Sequence, residues 1–155
     1  MSTRSCVIIK VRPADIGKVM KYNKDLIPVK ENDWGNEIDK DKAEEVKITA
    51  AYLGIYCHWD GYPNGVGAAL KANFKTYEQA LNLVIGGGCS AIDNEYVLRY
   101  ATRKNEDWEY LSPMQNDDLN EVASRFNWSE YDYLFTEEDG WKVNDIYEGG
   151  GFKSF

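Results

Sequence analysis

Residues 51–70, AYLGIYCHWDGYPNGVGAAL, constrain the fold more tightly than any other stretch of the chain. From Ala51 to Asp60 the odd positions Ala51, Leu53, Ile55, Cys57 and Trp59 are apolar. The even positions, Gly54 aside, are Tyr52, Tyr56, His58 and Asp60. A two-residue period is the pattern of a strand with one buried face. Asp60-Gly61 and Pro63-Asn64-Gly65 break it with turn-forming residues. Val66, Ala69, Leu70 and Phe74 then follow at helical spacing. The spacing predicts strand, sharp turn and amphipathic helix. It places Trp59 in the core beside Leu53 and Ile55, where truncation to Ala would cost ~3–5 kcal/mol.

Around this centre the chain reads as alternating short elements. Cys6 to Val11 is a β-rich run stopped by Pro13. Residues 13–45 have no sustained period and no Gly, Ser or Pro linker, so they read as an insertion on one domain. The apolar residues switch from even positions (Val46, Ile48, Ala50) to odd ones, which requires a bulge or tight bend near Ala50–Tyr52. Thr76 and Gln79 form a capping box for a second helix, which Gly86-Gly87-Gly88 ends. Tyr96 to Ala101 is a strand, residues 103–115 a loop, and Asn116-Asp117 the cap of a short helix with Leu119, Val122, Ala123 and Phe126 inward. Tyr131, Tyr133 and Phe135 share one strand face, and Asp139-Gly140 is a two-residue hairpin signal. Residues 149–155 read as a flexible tail. The expected fold is α+β, a single domain over 1–155. It is a mostly antiparallel sheet with two consecutive helices packed on one face.

At 155 residues, with 11 Tyr, 5 Trp and 5 Phe, the chain can bury an ordinary core, and disorder over most of it is excluded. No run of about 18 apolar residues exists to span a membrane, and MSTRSCVIIKV lacks a signal-peptide core. Cys6, Cys57 and Cys89 are odd in number and far apart, which fits reduced thiols in a cytoplasm better than disulfides or a zinc site. No metal and no cofactor are expected.

The residues that carry chemistry are few. His58 is the only histidine, and it shares the polar strand face with Asp60. His-x-Asp can move a proton, but it offers too few ligands for a transition metal. No nucleophile elbow, Cys-His-Asn order or H-E-x-x-H motif is present, so no catalytic residue is assigned. Cys57 lies on the opposite face from its neighbour His58. The structural reading is that Asp60 forms an Asx-turn over Gly61 to Pro63 and His58 braces it. The alternative is a ligand-binding or hydrolytic site built from Tyr52, Tyr56, His58, Asp60 and Tyr62. Base stacking on these aromatics is disfavoured by the scarcity of nearby Lys and Arg.

Charge gives a second lead. Net charge is −8, but residues 1–104 carry 15 Lys/Arg against 13 Asp/Glu, whereas residues 105–155 carry 3 against 13. That field opposes nucleic-acid binding and favours a basic partner. If Asp117, Asp118, Asp132, Glu137, Glu138 and Asp139 converge, they form an acidic face for such a partner.

Tyr56-Cys57-His58-Trp59-Asp60-Gly61-Tyr62-Pro63, followed by two helices, resembles a group of small bacterial and phage proteins sharing an HWDGYP motif. Their closing aromatic strand and D-G-W hairpin are similar to Tyr131–Phe135 and Asp139-Gly140-Trp141. The motif marks a family and no activity. The resemblance implies a prokaryotic or phage setting in the host cytoplasm. Together with the missing catalytic set, it leads to a binding protein of phage or mobile-element type. That protein would act stoichiometrically on a cytoplasmic host protein, an anti-defence inhibitor being one concrete form.

Overall fold

The computed structural model describes residues 3–33, 45–99, 112–126 and 128–155. The strands are β1 (Ser5–Lys10), β2 (Val19–Lys21), β3 (Lys30–Asp33), β4 (Glu45–Lys47), β5 (Tyr52–Cys57), β6 (Cys89–Ile92), β7 (Tyr96–Arg99), β8 (Met114–Asn116), β9 (Tyr131–Thr136) and β10 (Gly140–Asp145). The helices are α1 (Ala68–Asn73), α2 (Tyr77–Ile85) and α3 (Leu119–Arg125). Together they make one α+β domain. The main sheet has the order β10-β9-β1-β5-β6-β7-β3, and β8 pairs with the start of β5. A separate ribbon pairs β2 with β4. Antiparallel pairs predominate, while β1–β9, β5–β6 and β3–β7 are parallel.

β1 and β5 form the middle of the sheet in full antiparallel register, from Ser5↔Cys57 to Lys10↔Tyr52. Val7, Ile9, Leu53, Ile55 and Cys57 face the larger core with Tyr133 and Phe135 of β9, as expected of that alternation. The consecutive helices α1 and α2 cover this face through Ala69, Leu70, Ala80, Leu81 and Val84. α2 begins at the capping box, where Thr76 Oγ1 accepts Gln79 N–H and the Gln79 side chain returns to Thr76 N–H.

The opposite face is also covered, which the alternation did not anticipate. Cys6, Ile8, Tyr56 and Leu134 pack against Val122 of α3 and Phe126 just after it. Tyr56 is therefore buried instead of standing on a solvated face. α3 starts one residue later than read, with Asp118 capping Asn120 N–H at 2.9 Å. The β9–β10 loop is also longer than the two-residue reading. Thr136 pairs with Gly140, which leaves Glu137, Glu138 and Asp139 in the turn, and Gly140 takes a left-handed φ of 69°.

Residues 13–45, read as an insertion, place β3 on the sheet edge beside β7 and send Tyr22 and Ile27 into the core. Arg99 fixes that attachment. Its side chain is 4% exposed and donates to Leu83 O in the last turn of α2 at 2.8 Å and to Gly87 O just beyond it at 2.7 Å. It also pairs with Glu31 of β3 at 3.2 Å and bonds the Tyr22 hydroxyl at 3.3 Å. A Cβ on Gly86 would collide with this guanidinium, so the first glycine of the triplet serves close approach as well as helix termination. The chain read as a flexible tail, 149–155, pairs Lys153 with Val143 and packs Phe155 on the larger core.

Replacing Arg99 by Leu would strand Glu31 and two helix carbonyls, costing about 3–5 kcal/mol. Denaturant titration of Arg99→Leu and of Arg99→Leu with Glu31→Leu checks this. The double variant should recover part of the loss, and an equal loss in both would show that the ion pair contributes little.

Candidate functional site

The chain leaves β5 at Cys57 through a corner held from three strands. His58 N–H and Trp59 N–H donate to Cys89 O and Ser90 O of β6, at 3.2 and 2.8 Å. Asp60 then takes a φ of 55°, a left-handed conformation that Asp tolerates better than most residues. Its carbonyl accepts Val66 N–H at 2.8 Å, and its carboxylate accepts the Tyr62 hydroxyl at 2.9 Å. Gly61 N–H donates to Thr3 O ahead of β1 at 2.8 Å, and the Tyr133 hydroxyl of β9 donates to Gly61 O at 2.5 Å. A π-helical turn, Pro63–Gly67, leads into α1.

Trp59 is 46% exposed, which overturns its expected place in the core. The two-residue period holds only while the strand lasts, and β5 stops at Cys57. The left-handed Asp60 then turns the chain, so Trp59 follows the corner and not the pleat. The sequence reading has Asp60 forming an Asx-turn braced by His58, but the two side chains make other contacts. His58 Nδ1 lies 2.6 Å from the Tyr56 hydroxyl, while Asp60 holds Tyr62.

Desolvation, and then the Arg4 charge, lower the His58 pKa and favour the neutral ring. A neutral ring accepting at Nδ1 carries its own proton on Nε2. The Tyr56 phenol is raised, chiefly by burial, with Trp128 and Arg4 pulling it back through hydrogen bonds. Trp128, Tyr56, His58 and Trp59 thus form a chain of rings. Successive centroids are 6.1, 5.9 and 4.6 Å apart, and both terminal contacts are edge-on. Trp128 is 38% exposed, and Ile146, whose N–H donates to Glu130 O, and Tyr147 extend this end of the sheet with more exposed apolar surface.

Of the five residues assigned to a ligand site, Tyr56 with His58 and Asp60 with Tyr62 stand at the corner as two separate hydrogen-bonded pairs. Tyr52 does not. It begins β5 opposite Lys10, four residues and about 13 Å along the strand from Tyr56. Arg4 and Trp128 were missed. Arg4 precedes β1 where the register brings it opposite His58, and only strand pairing reveals that.

Of the six acidic residues assigned to a partner face, Asp132 is buried and the other five are exposed, most of them with internal partners. Asp132 is 1% exposed on the α3 side of β9. Glu137 grips Arg12 through both oxygens at 2.5 and 2.6 Å, which lowers its pKa. Asp139 pairs with Lys142 at 3.1 Å. Asp117 accepts Ala51 N–H at 2.9 Å, and Asp118 caps α3. Glu138 is exposed. Among the described residues, no group of three or more His, Cys, Asp or Glu could hold a metal. The three thiols are buried, and burial raises the pKa of each, which makes them poor nucleophiles. No helix among the described residues is long and apolar enough to cross a membrane. No family model, curated protein or solved structure matches the chain.

Among the described carboxyls, Asp132 is held well above the usual carboxylate range by burial. Register aligns it with Cys6 and Tyr56 across β9, β1 and β5, and Ser129 Oγ bonds it at 3.0 Å. Burial pushes its pKa from 3.8 to about 6, although the Ser129 bond opposes the shift. Below about pH 4 the carboxyl is protonated whether the chain is folded or not, so it does not affect stability. Between about pH 4 and 6 the unfolded chain loses a proton that the folded chain keeps, so stability falls as pH rises. Above pH 6 the penalty is constant, about 3 kcal/mol. Asp132→Asn should therefore be more stable than the wild type by about 2 kcal/mol at pH 7.5, and the gap should close at pH 4. Urea titrations at both pH values test this. An equal loss of stability at each would mean that the carboxylate has a compensating partner.

Proposed function

We propose that the chain is a stoichiometric binding protein of phage or mobile-element type. It acts on a host protein in the cytoplasm, and its contact surface is the aromatic corner after β5. The observation that carries this reading is the ring chain from Trp128 to Trp59, both ends of it exposed, on a corner pinned by backbone hydrogen bonds. Exposed Trp and Tyr held rigidly supply contact area at little entropic cost, the usual composition of interface anchors. Asp60 and Glu148 are exposed near this end, and Glu130 is partly so. A rim of that sign favours a basic partner and speeds its association. Inhibition of a host defence protein is one form this binding could take.

A small-ligand or hydrolytic site at the His58 turn is the second reading, favoured by the short Tyr56–His58 bond beside Arg4. It predicts loss of activity in His58→Ala with an unchanged melting temperature.

The binding reading is tested by immobilising wild type and Trp59→Ala and challenging both with bacterial lysate at low salt. Trp59 is exposed, so its truncation should move stability by no more than about 0.5 kcal/mol. It should reduce recovery of a specific partner by tenfold or more, about 1.4 kcal/mol of binding. Equal recovery by both proteins would remove the corner from the interface. Recovery of nothing by the wild type would count against the binding reading itself.

A further inference from the structure

The segment after β10 has a construction that neither the core nor the corner requires. Gly149, Gly150 and Gly151 take φ values of 73°, 91° and 80°, three left-handed residues in succession. A Cβ on Gly149 or Gly151 would meet nothing within 4 Å, so backbone conformation and not packing calls for glycine there. The reversal lays Lys153 antiparallel to Val143. Val143 N–H donates to Lys153 O at 2.9 Å, and Lys153 N–H donates to Val143 O at 2.8 Å. β10 is an edge strand, so this pair covers an edge that would otherwise be open for pairing.

Two aromatic residues straddle that edge. Phe152 packs with the cluster under α3, and Phe155 packs with the larger core on the other face. The Phe155 ring lies 5.7 Å from Tyr133, with Lys71 Nζ 4.6 Å from its centroid and also donating to the Phe155 carbonyl. Gly67 completes the seat. Its φ of −57° suits any residue, yet a Cβ there would stand 2.8 Å from the Phe155 ring and 3.0 Å from Tyr133. The glycine keeps open a space that an aromatic side chain fills.

We propose that the β10 edge and the Tyr133–Gly67–Lys71 seat form a groove for an extended peptide of a partner protein. The peptide carries aromatic residues three positions apart with a basic residue between them, and residues 151–155 occupy the groove in cis as a removable strap. Main-chain pairing supplies affinity and the two aromatic seats supply specificity, the division of labour in β-strand addition. The strap is held by one backbone pair, by Phe152 and Phe155 in their two seats and by Lys71, and it follows a run of three left-handed glycines. A net charge of −8 favours the basic residue. The groove shares Tyr133 and Gly67 with the structure that holds the aromatic corner, but the proposal stands whether or not the corner binds a partner.

The test uses the full chain, ¹⁵N-labelled, titrated with the peptide Gly-Gly-Gly-Phe-Lys-Ser-Phe. A strap tethered by a short flexible hinge competes at an effective concentration on the order of mM. Phe155→Ala weakens the strap and leaves the groove intact. It should therefore show saturable shifts at the Val143 amide and bind at least about tenfold more tightly than wild type. Adding Gly67→Ala should abolish those shifts, as should replacing the peptide's last Phe by Ala. If Phe155→Ala fails to fold, Lys153→Pro serves, since it removes one strap hydrogen bond and leaves Tyr133, Gly67 and Lys71 in place. Absence of saturable shifts in a folded strap variant would overturn the proposal, as would equal binding of the two peptides. Dimerisation of the wild-type chain that Phe155→Ala abolishes would assign the groove to a second copy, and would also overturn it.

Discussion

Burial of Arg99 is the constraint on which the outer half of the sheet depends. A guanidinium this far from water is tolerable only when its donors are used, and five groups from four parts of the chain use them. Leu83 O and Gly87 O come from the end of α2, Cys89 Sγ from β6, the Tyr22 hydroxyl from the segment before β3, and Glu31 from β3 itself. The carbonyls matter most, because a helix end under a sheet has no water to satisfy it. Arg99 thus does for α2 what solvent does for an exposed helix. In the same act it fastens β3 to β7. The guanidinium carbon also lies over the Tyr22 ring, 4.7 Å from its centroid.

Local elements were legible in the sequence because local chemistry decides them. Thr76 and Gln79 announce a helix start by side-chain reach alone, Leu53 and Ile55 announce a strand by period, and Val7 to Ile9 announce one by β-propensity. What the sequence concealed was where a period stops and what lies across it. Trp59 continues the alternation in letters, but the strand ends two residues earlier at the β6 contacts. Tyr56 and Asp132 sit at positions that read as solvated. They are buried because α3, only seven residues long with Val122 as its one fully inward residue, lies over them. Glu31 and Arg99 are 68 residues apart, and neither neighbourhood hints at the other. Parallel pairing of β1 with β9 is non-local in the same way.

The acidity of residues 105–155 shows how composition can mislead about surfaces. Charge counts treat every carboxylate as solvated, yet here several are structural. Glu137 and Glu78 flank Arg12, which also lies 4.0 Å over the Tyr77 ring, so the β9–β10 turn is tied to the start of α2. Asp118 caps a helix and Asp117 holds the bend before β5. These carboxylates join elements that the sheet alone would not bring together. Their exposure keeps each pair weak, and their number makes the arrangement specific. The aromatic residues after β5 make internal contacts of their own, Tyr62 to Asp60 and Tyr56 to His58, while Trp59 and Trp128 keep part of their rings in solvent.

Asp132 connects the buried and exposed halves of this argument. Its one hydrogen-bond donor among the described side chains is Ser129, the residue after Trp128. Ser129 N–H returns to Phe126 O at 2.9 Å, and Glu130 N–H to Arg4 O at 2.9 Å, so this short connection is held at both ends. A charge on Asp132 strengthens the Ser129 bond while the apolar packing around it opposes the charge. Both effects act on the few residues that position Trp128 over Tyr56. Through Ser129 the carboxyl joins the buried face of β9 to the short connection that carries Trp128.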